Sequence, residues 1–438
     1  MTDSSDSYVI TAIDQEARGV TRRQGKVVFV NEAIPGDRVT LTTVQRKVSF
    51  DRALVREWIE TSPNRIKPRC VHFGVCGGCS LQHADPLAQV AYKQRFLEDN
   101  LLKIGRLIPE QIWAPIHGPH WHYRQRARLS VHWVEKKQTV FVGFHERSSN
   151  SVADMHSCLI LSEPLSHWID PLRVLVTSLS IKTRIPHIEV ALGSEGLPVL
   201  VLRILAEISP QDVIILRQFA DEYGARIWLQ PNGVRSGYSF YPSVDDRLQY
   251  TLPEYDLTLA FGPSEFTQVN ASVNRTLVQR AVDLLQLQSQ DVVLDLFCGI
   301  GNFTLPIARS GAHVMGIEGN SALIKRAVAN AQQNNLTANT DWLVANLFEV
   351  TEEDVRRWPK ANKVLIDPPR DGAKEAVKAM QWLRPERIVY VSCNPATFAR
   401  DAQVLVQQLG YHLKGVGIAN MFPHTTHVES IALFVLSH

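Results

Sequence analysis

Val292-Val293-Leu294-Asp295-Leu296, followed by Phe297-Cys298-Gly299-Ile300-Gly301-Asn302-Phe303-Thr304, decides the fold of the C-terminal part of this chain. Five mainly apolar residues read as a buried strand, and the glycines behind them permit a tight turn into a helix. Further strand-like runs at 314–318, 363–367 and 388–391 alternate with helical stretches from residue 265 onward. That alternation specifies a parallel, doubly wound, Rossmann-like α/β sheet with its ligand at the carboxyl ends of the strands. Thr304 stands where a dinucleotide fingerprint would have its third glycine. A carboxylate at Asp295 repels a pyrophosphate but suits the ammonium of a methionine-type ligand. Glu318, ending the next strand, is placed for ribose hydroxyls, and Asn346, ending the third, for an adenine edge. S-adenosylmethionine therefore fits this turn better than NAD.

Downstream, Val391-Ser392-Cys393-Asn394-Pro395 puts a thiol at the end of an apolar strand, in a turn that Pro395 stiffens. Asp367-Pro368-Pro369-Arg370 and His427-Val428-Glu429 add two carboxylates. C5 of uracil is a poor nucleophile. A thiolate adding at C6 makes C5 reactive toward a methyl sulfonium, and a base must then remove the C5 proton before the thiol can leave. Cys393 as nucleophile, Glu429 as base and Asp367 accepting from uracil N3–H meet that demand, with Arg370 or Arg400 expected to help the thiol ionise. Cys298 is the competing thiol, but its place inside the glycine turn suits packing. His424 and His427 lack the spacing of a helical zinc pair.

The rest of the 438-residue chain reads as two further parts. Residues 8–60 contain short strand-like runs punctuated by Gly19, Gly25 and Pro35-Gly36, as in a small oligonucleotide-binding (OB-like) barrel. A basic linker, 63–68, follows, then a helical stretch at 87–102. Residues 120–255 are mainly strand-like, with one helical interruption near 210–224. Net charge is only +2, yet residues 63–147 hold thirteen Lys and Arg against six Asp and Glu, a footprint for phosphates. Arg124, Arg126 and Arg128 alternate along a strand and would share one face. Cys70, Cys76 and Cys79 lie among three glycines, and Cys158 could close a four-thiolate site for zinc or an iron–sulfur cluster. Without an apolar run of the ~18 residues a membrane span needs, and with an acidic start lacking a signal-like stretch, a cytoplasmic location and no membrane partner are expected.

The motifs around Asp295, Asp367, Cys393 and Met421–Glu429, with Phe266-Thr267-Gln268-Val269-Asn270, resemble those of the RNA (uracil-5-)-methyltransferases. The resemblance implies Cys393 as nucleophile and Glu429 as base, with Gln268, Phe297, Asn302, Glu318, Asn346 and Asp367 around S-adenosylmethionine and the target base. Arg69 to Cys79 resembles the 23S rRNA branch of the uracil-1939 type. It implies a [4Fe-4S] cluster on Cys70, Cys76, Cys79 and Cys158, an N-terminal TRAM-like β-barrel, and 23S rRNA as partner. The expected organisation is an RNA-binding barrel at 1–62, a β-rich central domain at 63–262 carrying the cysteines and RNA-binding strands, and a catalytic domain at 263–438. The helical segment near 87–118 is expected to pack on the catalytic domain, and the chain to act as a monomer. The alternatives are a tRNA uracil-C5 methyltransferase and a non-catalytic RNA-binding assembly factor.

Overall fold

Val292–Leu296 is a strand buried on both faces. Leu294 and Leu296 enter one apolar layer with Val364, Ile366, Ile388 and Tyr390, while Val293 enters the opposite layer with Val314, Leu365 and Val389. Such two-sided burial is what a parallel sheet covered by helices requires. The computed structural model describes residues 6–194, 196–233, 236–242 and 248–436; the acidic stretch 1–5 lies outside them.

The C-terminal sheet has seven strands, in the order Thr340–Val344, His313–Glu318, Val292–Leu296, Lys363–Ile366, Arg387–Ser392, Glu429–Leu436, Tyr411–Ala419. The first five are parallel, and Glu429–Leu436 runs antiparallel to both its neighbours. Phe297, Glu318, Asn346, Asp367 and Cys393 therefore all sit at or just beyond carboxyl ends of strands. Glu429 joins them because its strand starts at that same edge.

Helix Pro86–Asn100 packs on this sheet's helical layer: Val90, Phe96 and Leu97 share a core with Phe398, Ala402 and Leu405. Asp85 caps it, accepting from Leu87 N at 2.8 Å, and Pro86 pre-sets its first turn. The chain after it runs along the outermost strand of the C-terminal sheet, with Trp113 N donating to Val416 O and Ile116 N to Ile418 O, both at 2.8 Å.

Residues 8–60 form a six-stranded sheet whose outer strands, Tyr8–Val9 and Ala12–Ile13, are consecutive in the chain. Ile10 N donates to Asp37 O and Thr11 N to Val20 O, so the backbone itself joins the two sheet edges. Gly19, expected at a turn, instead lies inside strand Arg18–Arg23. A Cβ there would come within 2.8 Å of Ala33 O, so the glycine serves close approach rather than reversal.

The central sheet also has six strands, from Tyr238–Tyr241 at one edge to Thr139–Gly143 at the other. It holds two α-helices, Pro210–Tyr223 and Ile169–Ser178, where a single helical interruption was expected. Leu172, Leu175 and Val176 bury one face of the second helix, but its valine-rich composition imitates a strand.

Candidate active site and four-cysteine site

The glycine turn brings the backbone around with Phe297 at φ 65°, Gly299 at 56° and Gly301 at 96°. A left-handed conformation is costly for a bulky residue such as Phe297, and is held here because Phe297 N and Cys298 N both donate to Ile317 O. The turn opens a cleft of about 1680 Å³, its open mouth included, and Gln268, Phe297, Asn302, Glu318, Asn346, Asp367, Cys393 and Glu429 all line it. Asp295 does not. It is fully buried beneath the turn, accepts from Thr304 Oγ1 at 2.5 Å, and is pushed up to about 7 by burial. It braces the turn instead of meeting a ligand's ammonium.

Glu318 is oriented by Asn320 N, which donates to it at 2.9 Å, and by Gly299 N at 3.3 Å. Asn302 is fixed from behind by residues that the sequence did not single out. Tyr250 Oη donates to Asn302 Oδ1 at 2.9 Å, and Asn274 exchanges amide hydrogen bonds with it at 3.0 and 3.1 Å. Tyr250 and Asn274 come from other elements, and no local signal connects them to the turn.

Cys393 lies between strand Arg387–Ser392 and helix Pro395–Gln403, whose cap is Asn394. Asn394 Nδ2 also donates to Arg370 O at 3.0 Å, tying the two motif loops together. In the antiparallel ladder Ser392 pairs with Ser430, and Ser430 Oγ donates to Ser392 O at 3.2 Å. One step beyond that pair, in opposite chain directions, stand Cys393 and Glu429. Burial raises the Cys393 thiol to about 12, with the charges of Glu429 and Asp367 adding and Arg370 opposing. Arg400 gives no such help; it pairs with Asp401 at 2.8 Å. Asp367 is raised to about 7 by burial, and Glu429 well above the carboxylate range by burial and then by Asp367. Two buried carboxyls this close favour sharing a proton.

Cys70, Cys76, Cys79 and Cys158 are free thiols lining one cavity of about 310 Å³. Burial and the mutual repulsion of the thiolates raise Cys79 to about 12 and Cys158 to about 11. A Cβ on Gly77 would meet His145 O at 3.0 Å, and one on Gly78 would meet the Phe144 ring at 3.3 Å, so both glycines permit the loop's close packing. Among the described residues no three His, Cys, Asp or Glu are grouped as ligands of a single metal ion. Four thiols converging on one cavity are a donor set of the kind that zinc or an iron–sulfur cluster takes.

A second, wider cleft of about 1920 Å³, open to solvent, adjoins the first through Arg370, Phe422 and His427. Arg18 and Arg52 of the barrel, with Arg124 and Arg147, line it as well. Arg126, expected beside Arg124 on an RNA-gripping face, is turned inward. It donates to Glu265 O and lies 3.5 Å from the Glu189 carboxylate, which Arg128 also holds at 2.6 Å.

The sequence profile described as tRNA (Uracil-5-)-methyltransferase matches residues 243–436. The chain is 53% identical over 428 residues to the 23S rRNA (uracil(1939)-C(5))-methyltransferase RlmD of Nitrosospira multiformis, covering 97% of each. It is 51% identical to the enzyme of the same name from Aromatoleum aromaticum, covering 97% of this chain and 98% of that protein. The crystal structure of Pyrococcus abyssi tRNA (uracil-54, C5)-methyltransferase with S-adenosyl-L-homocysteine superposes with a TM-score of 0.75 at 24% identity, over 98% of this chain and 100% of that one. That likeness shows the shared fold.

A raised thiol has a readable consequence. Alkylation of Cys393 by iodoacetamide should be slow at pH 7 and climb through pH 10, because the thiolate appears only as pH approaches its raised pKa. Asp367→Asn should accelerate it at pH 8 by removing a neighbouring negative charge. A rate already level below pH 8 would contradict the assignment.

Proposed function

We propose, since this chain belongs to the RNA (uracil-C5)-methyltransferases, that it transfers a methyl group from S-adenosylmethionine to C5 of a uracil in 23S rRNA. Its relatives carry the designation uracil(1939), and the same target class is the reading for this chain. The observation that carries it is the meeting of Cys393 and Glu429 across the Ser392–Ser430 pair, on the wall of a cleft that also holds Asp367 and Glu318.

Bound S-adenosylmethionine supplies an electrophilic methyl sulfonium. Glu318 would hold its ribose and Asn346 its adenine edge, with Gln268, Phe297 and Asn302 completing the pocket. Asp367 would accept from N3–H of the uracil, which must leave its stack to enter the cleft. The Cys393 proton must depart as sulfur attacks, since the resting thiol is neutral. Sγ would bond to C6 as its proton passes to solvent, C5 would take the methyl group and leave S-adenosylhomocysteine behind, ionised Glu429 would remove the C5 proton, and the Sγ–C6 bond would break to return the ring double bond and a thiolate that takes up a proton again. A carboxyl whose proton affinity is raised is a stronger base once ionised, so Glu429 would act from the form that has given up its own proton.

The barrel and the arginine-lined cleft are read as the RNA track leading to this site. Arginines there would pair with phosphates. The four cysteines are read as holding a [4Fe-4S] cluster that joins segment 70–79 to Cys158, a structural role that the methyl chemistry leaves free of any redox duty. Protein purified without air should then absorb visible light and contain iron and sulfide, and Cys158→Ala should lose both. A colourless preparation with stoichiometric zinc would refute the cluster.

Glu429→Gln is expected to trap the RNA as a covalent adduct visible on a denaturing gel, with turnover lowered by roughly 10²- to 10⁴-fold. Cys393→Ala should form none. Normal turnover in Glu429→Gln would remove Glu429 from the mechanism. Arg147→Glu should weaken RNA binding and shallow its salt dependence by roughly 0.7–0.9 for each phosphate left unpaired. Arg126→Glu should lower stability, since it sets a carboxylate against Glu189. The reverse pattern would place the RNA on the central strand instead.

A further inference from the structure

Residues 420–428 connect strand Tyr411–Ala419 to strand Glu429–Leu436, and Phe422 and His427 of this loop line the catalytic cleft. The loop is held chiefly by groups from distant parts of the chain. Ser80 N and Leu81 N both donate to His424 O, at 2.8 and 2.9 Å. Gln89 Oε1 accepts from His424 N at 2.8 Å, while its Nε2 lies 3.2 Å from His424 Nδ1 and also donates to Leu81 O and Ala84 O. One turn along the same helix, Lys93 Nζ donates to Asn420 Oδ1 at 2.7 Å and Phe422 O at 2.8 Å. His424 itself is in the left-handed region at φ 66°, packed against Trp121 with ring centroids 4.0 Å apart and planes tilted by 32°.

Gln89 and Lys93 have no exposed surface. An apolar side chain would avoid desolvating an ammonium, but it would leave Asn420 Oδ1 and Phe422 O without their donor, a loss that costs stability. The lysine thus satisfies the two oxygens of the loop and fixes where the loop lies.

We propose that Gln89 and Lys93 are positioning residues for Glu429: they fix the loop that delivers this carboxylate to the target base, and the Ser80–Leu81 amides tie the same loop to the cysteine segment ending at Cys79. The proposal rests on the reading of Glu429 as the base that releases the product. Ordering of segment 70–79 and placement of the base are then one mechanical unit.

The test uses the full-length protein with 23S rRNA fragment and S-adenosylmethionine, and follows unfolding midpoint, cofactor affinity, adduct formation and adduct decay separately. Lys93→Met should lower the unfolding midpoint without preventing folding, bind S-adenosylmethionine and RNA normally, and form the Sγ–C6 adduct at close to the normal rate. Adduct decay should slow by roughly 10- to 100-fold, the scale of a small misplacement of a catalytic group, so adduct accumulates and kcat falls with KM little changed. Gln89→Leu should show the same split. Folded variants that release product at the normal rate would overturn the proposal, as would loss of folding in both, which would assign the pair to stability alone. Glu429→Gln run in parallel separates the failures. If it does not trap adduct, the base assignment falls; if it traps adduct and the two helix variants do not, only the positioning role falls.

Discussion

The pairing of Ser392 with Ser430 is the constraint on which the site depends. Five parallel strands bring their carboxyl ends to one edge, but a parallel strand begins at the opposite edge and could not start a residue there. Reversing Glu429–Leu436 lets the first residue of a strand stand beside the residue that follows the end of another. A shift of one residue in this register would turn alternate side chains to the other face and separate Cys393 from Glu429. The apolar residues of both strands hold the register, since Ile431 and Leu433 enter one core layer and Ala432 and Phe434 the other.

Burial then sets the chemistry of the edge. Cys393, Asp367 and Glu429 are all pushed toward their protonated forms, and each carboxylate charge makes the next ionisation harder. Such an arrangement is unfavourable for the resting fold, and perturbed titratable groups gathered in one cleft are characteristic of functional sites. Arg370 is the charge that opposes the trend at the thiol, and its backbone is held by Asn394 and Thr397 of the cysteine loop. Cys393 and its neighbouring cation are therefore carried on one hydrogen-bonded unit.

Segments from the barrel, the central region and the cysteine loop meet around the loop that precedes Glu429. Thr426 Oγ1 donates to Gln15 O of the barrel at 2.6 Å, Tyr123 Oη donates to Pro423 O at 3.2 Å, and Ser80 and Leu81 grip His424 from the cysteine segment. The arginine-lined cleft opens at the same place. Groups that would contact RNA and groups that set the base thus share a loop whose conformation neither could maintain alone.

Local sequence determined the parallel α/β sheet, the glycine turn, the four cysteines on their glycine-rich loop, and the residues at the strand ends, because each depends on spacing within a few residues. The cleft brings together all eight side chains named from the motifs and the family resemblance. Tertiary structure alone decided which charged groups were available. Asp295 is sealed beneath the turn with only one oxygen on Thr304, Arg126 is taken by Glu265 and Glu189, and Arg400 by Asp401, although each reads as a candidate ligand or helper. Helix Ile169–Ser178 and the strand glycine at Gly19 were hidden because valine content and a lone glycine are ambiguous without their packing partners. Lys93 counts among the thirteen basic residues of the 63–147 phosphate footprint, yet it is fully buried, and contacts more than three hundred residues away in sequence make it and Gln89 interior. Motif chemistry is written in short spacings, whereas burial and partnership arise from distant segments meeting.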